Sequence, residues 1–149
     1  MANTFEAPFA QTPQTASAVA VTAVSMTTSG VEQSATVTNS VLLCTAGVNG
    51  AVVTELLALP RATCTASALF IWSSTDTGTN KYLVGTGLLP AYTLAATTQN
   101  IPYSFKHSDN ATLISEAAPL RLKAGEQLWV GTGVTLASGI VFNIRYSDF

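Results

Sequence analysis

The single histidine of the chain is the first candidate for acid–base chemistry. His107 stands in the segment SFKHSDN, between Lys106 and Asp109 and beside a predicted strand end. General acid–base catalysis needs a histidine, or a pair of carboxylates, whose surroundings tune the pKa. The chain has no second histidine to complete such a site. The segment therefore favours a solvated loop histidine over a catalytic one.

The acidic residues and the cysteines indicate no metal site and no nucleophile. Asp76 and Asp109 stand in turn sequences, where Asp is favoured for conformational reasons, and neither has the acidic neighbours of a calcium loop. Cys44 and Cys64 lack CxxC spacing and nearby histidines, so we expect two buried free thiols rather than a zinc site or a disulfide. The GxSxG and GxxxxGK motifs are absent. We predict no catalytic residue, no metal and no cofactor, and hence no enzyme.

Aromatic side chains remain as candidates for a contact, because exposed Trp and Tyr residues bind sugars in lectin-like sandwiches and form interface hot spots. Four of them stand in predicted strands, where core packing is the expected role: Trp72, Tyr82, Tyr103 and Trp129. Tyr92 stands in the predicted loop LLPAYTLA. It is the best single candidate for a partner contact.

The elements that carry these residues are predicted to be strands, because they are rich in Thr and Val. The segments are 18–24, 34–38, 41–45, 51–59, 63–73, 81–86, 101–106, 126–132 and 139–146. The last one alternates most clearly, with Ile140, Phe142, Ile144 and Tyr146 on one face. Residues 69–72 are apolar on both faces, which predicts a central strand that is covered on both sides.

Turn signals separate these segments at intervals typical of an all-β sandwich. The strongest hairpin is predicted around the turn at 123–126, between residues 120–122 and 127–130. Residues 111–118 have at most one turn of helix, which Pro119 would end. We therefore predict an all-β fold, a single two-sheet β-sandwich that is jelly-roll-like.

The N-terminal segment differs from the rest of the chain. Phe5, Pro8, Phe9 and Pro13 are spaced through Ala, Gln and Thr without any period, which predicts an extended N-terminal arm over residues 1–17 and a sandwich domain over residues 18–149. Two alternatives stay open for the arm, which either wraps its own sheet or anchors in a neighbouring subunit. In the second case Phe5, Pro8 and Phe9 are partner contacts, together with Tyr92.

The composition indicates a protein that is built into an assembly. Only 9% of the residues are charged and the net charge is -2, whereas a typical soluble domain has about 25% charged residues. The cations form no basic stripe and no apolar run is long enough to span a bilayer, so we expect neither nucleic acid nor a membrane as partner. The start of the chain also lacks the pattern of a signal peptide. A structural protein is the first interpretation.

Several segments resemble small virion proteins of tailed bacteriophages, of the head-decoration or capsid-accessory type. These segments are MANTFEAPFAQTPQTA, TAGVNGAVVTEL, ALFIWSSTDTGTNKYLVG and PLRLKAGEQLWVGTG with the terminal YSDF, whereas residues 87–100 have no such likeness. The resemblance implies a jelly-roll-like subunit, often trimeric, that sits on a capsid lattice and clamps major capsid proteins together.

On that basis we expect a capsid decoration (cement) protein. It would be made in the host bacterial cytoplasm, lie on the capsid surface of the virion, and bind the major capsid protein and itself, as a homotrimer. The alternative is a receptor- or carbohydrate-binding module of a phage tail or head spike.

Overall fold

The computed structural model describes residues 12–26, 37–107 and 112–149, and strands alternate there with turns and loops. The strands there are β1 (Thr12–Ala20), β2 (Val41–Thr45), β3 (Ala51–Pro60), β4 (Ser67–Ser74), β5 (Tyr82–Leu89), β6 (Tyr103–Ser104), β7 (Leu120–Leu122), β8 (Gln127–Thr132) and β9 (Ile140–Asp148). These described residues contain no helix. The all-β prediction is confirmed.

The strands form two antiparallel sheets. Sheet A has the order β1-β9-β3-β6, with β7 beside β6 on the same edge of β3, and sheet B has the order β2-β8-β4-β5. When the short β7 is left out, eight strands wind between the two sheets in the order of a jelly roll. The predicted jelly-roll-like sandwich is therefore confirmed.

The core lies between the two sheets and is built from one face of each strand. In β9, Ile140, Phe142 and Ile144 are at most 1% exposed, as the alternation predicted, and Tyr146 is half-buried at the edge of the core. Leu128 and Val130 of β8 face them from sheet B and are fully buried. Burying each such side chain contributes roughly 1.5 to 3 kcal/mol. The packing of the two sheets therefore stabilises the fold.

The outer face of sheet B is also covered, as the apolar residues 69–72 predicted. Trp72 is fully buried but lies outside the main core, opposite Trp129 in the neighbouring strand. A Cβ atom on Gly131 would lie 2.3 Å from Cγ1 of Val24 and 3.0 Å from the Trp72 ring. The chain that follows β1 therefore packs on this face, and part of the cover comes from the protein itself.

The first strand begins earlier than predicted. Residues 12–17, assigned to the arm from the sequence, belong to β1 and pair with residues 143–148 of β9. Thr, Ser and Ala alternate in exposure along this strand, and Pro13 is tolerated because β1 is an edge strand. The predicted strand at 18–24 is thus displaced toward the N-terminus. Of the predicted strand at 34–38, only residues 37 and 38 are described.

The predicted hairpin at residues 120–130 is wrong. The turn forms, with Gly125 at a φ of 68° and Glu126 N donating to Lys123 O at 3.1 Å. However, β7 pairs with β3 in sheet A, whereas β8 pairs with β2 and β4 in sheet B. Leu122 and Leu128 then face the same core from opposite sheets. The alternation of apolar residues in 120–122 and 127–130 fits a hairpin within one sheet and a crossing between two sheets equally well. The helical turn predicted at 111–118 is also absent from residues 112–118.

Candidate interaction surface

The predicted contact residues do not lie together. Phe5, Pro8 and Phe9 lie outside the described residues. The described chain enters at Thr12, which pairs with Asp148 at one end of the sandwich. Tyr92 lies in a loop at the opposite end, and the nine residues of β1 separate the two ends by about 26 Å.

Tyr92 helps to hold its own loop in place. Its backbone N donates to Cys64 O at 3.0 Å, and Cys64 N donates to Tyr92 O at 2.8 Å. The side chain is half-buried, and its hydroxyl donates a hydrogen bond to Thr98 O at 3.4 Å. The ring is therefore a support of the loop as well as a candidate for a contact, and the contact itself stays a prediction.

The end that contains Tyr92 has almost no charge, and we call it the charge-poor end. Its described loops are residues 21–26, 37–40, 61–66, 90–102 and 133–139. Within these loops the only charged residue is Arg61, whose Nη1 donates to Ser138 O at 3.3 Å. Glu32, between the first two of them, lies outside the described residues.

Large apolar side chains are exposed at the charge-poor end. Ile101 is 73% exposed and Leu94 is 54% exposed, and Val21 and Val134 reach 38% each. Single exposed apolar residues are normal on a protein surface. Several of them on neighbouring loops that lack charged side chains are typical of a surface that is covered in an assembly.

Hydrogen bonds join the loops of the charge-poor end to one another. Besides those of Tyr92 and of the Arg61 side chain, they include Leu94 N to Thr63 Oγ1 (2.9 Å), Asn100 Nδ2 to Pro60 O (2.9 Å), Arg61 N to Gly139 O (3.3 Å), Leu136 N to Val21 O (2.9 Å) and Ala23 N to Thr135 Oγ1 (3.0 Å). All five of these bonds join uncharged groups. These bonds fix four of the loops relative to one another, residues 21–26, 61–66, 90–102 and 133–139. This fixed arrangement lowers the entropy that docking would cost.

The opposite end, which we call the charge-rich end, consists of loops 46–50, 75–81 and 123–126 and the terminal residues 148–149. Its charged residues are Asp76, Lys81, Lys123, Glu126 and Asp148. Asp76 accepts hydrogen bonds from Asn80 N at 2.8 Å, from Asn80 Nδ2 at 2.6 Å and from Ser74 Oγ at 2.8 Å. The bonds from Asn80, followed by the one from Ser74, lower the pKa of Asp76. The charged carboxylate of Asp76 therefore holds the 75–81 loop in place through these hydrogen bonds.

Lys81, Glu126 and Asp148 make further hydrogen bonds at the charge-rich end. Lys81 is 7% exposed, its Nζ donates to Gly78 O at 2.8 Å, and it lies 4.6 Å from the centre of the Trp129 ring. Burial lowers the pKa of Lys81. Glu126 accepts from Lys123 N at 2.7 Å, and Asp148 accepts from Gly47 N at 3.0 Å.

His107 is not the solvated residue that the sequence predicted. Its ring is half-buried and its Nε2 donates to Ala118 O at 2.8 Å, while its backbone N donates to Thr112 O at 2.9 Å. The residue thus fastens the connection between β6 and β7. Its neighbourhood holds a small cavity of about 60 Å³, which Ile71, Val84 and Leu120 help to line, and such a volume fits only water-sized molecules.

Both cysteines are free thiols, as expected, but only one is fully buried. Cys44 is 5% exposed, and burial, as the largest cause, raises the pKa of its thiol to about 12. Cys64 is half-buried. Within the described residues, no three His, Cys, Asp or Glu side chains lie together as metal ligands, and those residues contain no helix that could cross a bilayer.

The exposed apolar residues of the charge-poor end were not predicted from the sequence. A signal was present, because residues 82–105 contain no charged residue. Which of these residues are exposed depends on the conformation of the loops, and the gathering of loops from five parts of the chain depends on the fold. The sequence pattern alone could not show either.

Comparison with known proteins gives little. No family model and no curated protein matches the chain. It is similar to the structure of the Gx strain of infectious bursal disease virus, at 14% identity over 93% of this chain and 38% of that one, with a TM-score of 0.21. The structure of the Gt strain gives 14% identity over 91% and 36%, with a TM-score of 0.22. The chain thus spans less than two fifths of the length of those chains.

Proposed function

We propose that this chain is a non-enzymatic structural protein of a virion, a capsid decoration protein that binds the phage head lattice and stabilises it. The observation that carries the proposal is the charge-poor end, a set of loops fixed to one another that exposes Leu94 and Ile101. A preorganised, apolar and nearly uncharged surface is suited to permanent contact with another protein. The jelly-roll fold occurs in viral capsid proteins as well as in lectin domains, so it is compatible with this class.

The stabilising mechanism is the burial of surface, repeated many times. Each subunit adds a contact between lattice proteins, and contacts that are individually weak add up through avidity when the subunit spans more than one of them. The predicted partners are the major capsid protein and further copies of this chain in a homotrimer. Sedimentation of the isolated protein at micromolar concentration tests the trimer, and a stable monomer would count against it.

The alternative function, a receptor- or carbohydrate-binding module, needs an exposed aromatic platform. Trp72 is fully buried, while Trp129, Tyr103 and Tyr92 are half-buried. Tyr82 is 43% exposed. These candidate rings therefore favour the structural role over sugar binding.

Immunogold electron microscopy tests the location. An antibody raised against the recombinant protein would be applied to virions purified from the source culture. We expect regular labelling over the heads. Labelling confined to tails or spikes would support the alternative module, and particles without any label would contradict both.

The arm is a second part of the proposed attachment, through Phe5, Pro8 and Phe9. Burying each Phe contributes roughly 1.5 to 3 kcal/mol. The informative truncation removes residues 2–11, because β1 begins at Thr12 and must stay whole to pair with β9. We expect the truncated protein to co-sediment much more weakly than the full chain with heads that lack the native protein. Full-strength binding would limit the attachment to the sandwich.

A further inference from the structure

We infer that the charge-poor end faces the capsid shell, that its partner there is a neutral, apolar protein surface, and that the charge-rich end points to solvent; this inference rests on the proposed function. Two surfaces at opposite ends of a sandwich cannot both lie flat on one shell. The difference in charge between the ends selects which of them does.

Charge on the partner would be costly opposite this surface. A charged group that loses its water must gain a partner of opposite charge, or several hydrogen bonds, in return. The described loops of the charge-poor end offer one charged side chain, Arg61, and its guanidinium already donates to Ser138 O. The surface that fits best is therefore as poor in charge as this one.

The exposed apolar residues supply the favourable part of such a contact. Ile101 and Leu94 project from the 90–102 loop, and Leu88 at the end of β5 is 65% exposed beside it. Burying a side chain of this size contributes roughly 1.5 to 3 kcal/mol. The hydrogen bonds of Leu94 N to Thr63 and of Asn100 to Pro60 hold the loop in place before it binds.

The same charge pattern disfavours other classes of partner. Nucleic acid and anionic lipid surfaces are bound through Lys and Arg side chains. The charge-poor end has only Arg61 among its described loop residues. A neutral lipid bilayer is the competing occupant that the test must separate from a protein surface.

The charge-rich end has features that suit exposure to solvent. Asp76 and Glu126 accept hydrogen bonds, and Lys81 donates one, within their own loops. The chain also enters there, at Thr12.

Two matched substitutions test the orientation. Ile101→Lys places a cation on the charge-poor end, and Val48→Lys places one on the charge-rich end, where Val48 is 89% exposed. Both sites are open to solvent, so both variants should fold. Binding to heads that lack the native protein is measured by co-sedimentation over a range of protein concentrations. Thermal melts of both variants serve as the check of folding.

We expect Ile101→Lys to weaken binding at least tenfold and Val48→Lys to change it less than twofold. If Ile101→Lys melts early, Leu94→Ser at the same end replaces it. Equal binding by both variants, or loss of binding by Val48→Lys alone, would overturn the orientation while the proposed function stands. Failure of the wild-type chain to bind would instead overturn the proposed function, and the orientation with it.

Two further measurements address the other occupants. Flotation with phosphatidylcholine vesicles should leave the protein at the bottom of the gradient, and flotation that Ile101→Lys abolishes would assign the end to a bilayer. Sedimentation velocity should give the same oligomer for Ile101→Lys and the wild type. Dissociation by this substitution would assign the end to a second copy of the chain. Either of these results overturns the inferred capsid contact.

Discussion

The two ends of the sandwich hold their loops by different means. At the charge-poor end, neighbouring loops are joined mainly through backbone groups and neutral side chains, as in the bond from Leu136 N to Val21 O. At the charge-rich end, charged side chains fasten the loops, as Asp76 does for Asn80 and as Lys81 does for Gly78. The charged side chains that fasten loops thus lie mainly at one end.

This difference matters for what each end can do. A loop that is fixed by neutral bonds can be covered by another protein without removing charges from water. A loop that is fixed by charged groups keeps favourable hydration when it is exposed, but loses that hydration when it is covered. The charged side chains that fasten loops at the charge-rich end, such as Asp76 and Lys81, therefore support structure there without placing charge on the charge-poor end.

The largest expected effect compares a glycine from each end. Gly139 and Gly125 both have positive φ, of 71° and 68°. A Cβ on Gly139 would lie 2.8 Å from Ala20 O, whereas a Cβ on Gly125 meets nothing within 4 Å. We expect Gly139→Ala to lower the free energy of unfolding by about 2 to 5 kcal/mol and Gly125→Ala by about 1 to 2 kcal/mol.

Urea denaturation at neutral pH measures both values. Because both substitutions carry the same conformational strain, their difference reports the close packing around Gly139 at the charge-poor end. Equal losses would show that this end is loose enough to accommodate a methyl group. That result would contradict the preorganisation of these loops, which their hydrogen bonds indicate.

A smaller effect is expected between the ends, at the connection that precedes β7. His107→Ala removes the bond to Ala118 O, and we expect a loss of about 1 kcal/mol in the free energy of unfolding. His107→Gln is the control, since its amide can donate to the same carbonyl and should recover part of the loss. No change in either variant would return His107 to the solvated role that the sequence predicted.

The charge-rich end should respond to acid. Because the pKa of Asp76 is lowered from its usual value of 3.8 in the folded state, its charged form contributes stability above that value, and the contribution is lost as pH falls through the folded pKa. Asp76→Asn should therefore show a weaker decline in the denaturation midpoint below pH 4 than the wild type. Glu55→Gln, on the outer face of sheet A, is the control. Identical pH profiles for wild type and Asp76→Asn would remove Asp76 as the residue that holds this loop.

The smallest expected effect concerns thiol reactivity, with no change in stability. Cys64, half-buried at the charge-poor end, should react with a thiol reagent at pH 8 before Cys44 does, because burial raises the pKa of Cys44 to about 12 and limits its access. Cys64→Ala should leave a protein that reacts only on unfolding. Equal rates for both thiols would show that the core near β2 opens easily.

Much of the fold was predictable because its signals are local. The alternation in residues 140–146 predicted β9, because a period of two matches the pleat of a strand. The apolar run at 69–72 predicted a strand covered on both faces, because successive side chains of a strand point to opposite faces. The length of β1 was not predictable, since residues 12–17 are polar enough to read as a loop. Only pairing with β9 makes them a strand.

The candidate surface was less predictable than the fold. Tyr92 was chosen from its loop position, and it does lie at the charge-poor end, but its contact with a partner stays a prediction. Ile101 and Leu94 were not chosen, since nothing local distinguishes an exposed apolar residue from a buried one. The arm residues Phe5, Pro8 and Phe9 remain predictions from the sequence alone.

By itself the sequence determined the β class, the low charge and most strand positions, because composition and a period of two are properties of neighbouring residues. Only the tertiary structure decided that β7 and β8 lie in different sheets, since Leu122 and Leu128 reach the same core by either route. It also decided which loops share an end. That arrangement follows from the antiparallel order of the strands, which brings together residues that are far apart in the sequence, as in the bond from Leu136 N to Val21 O.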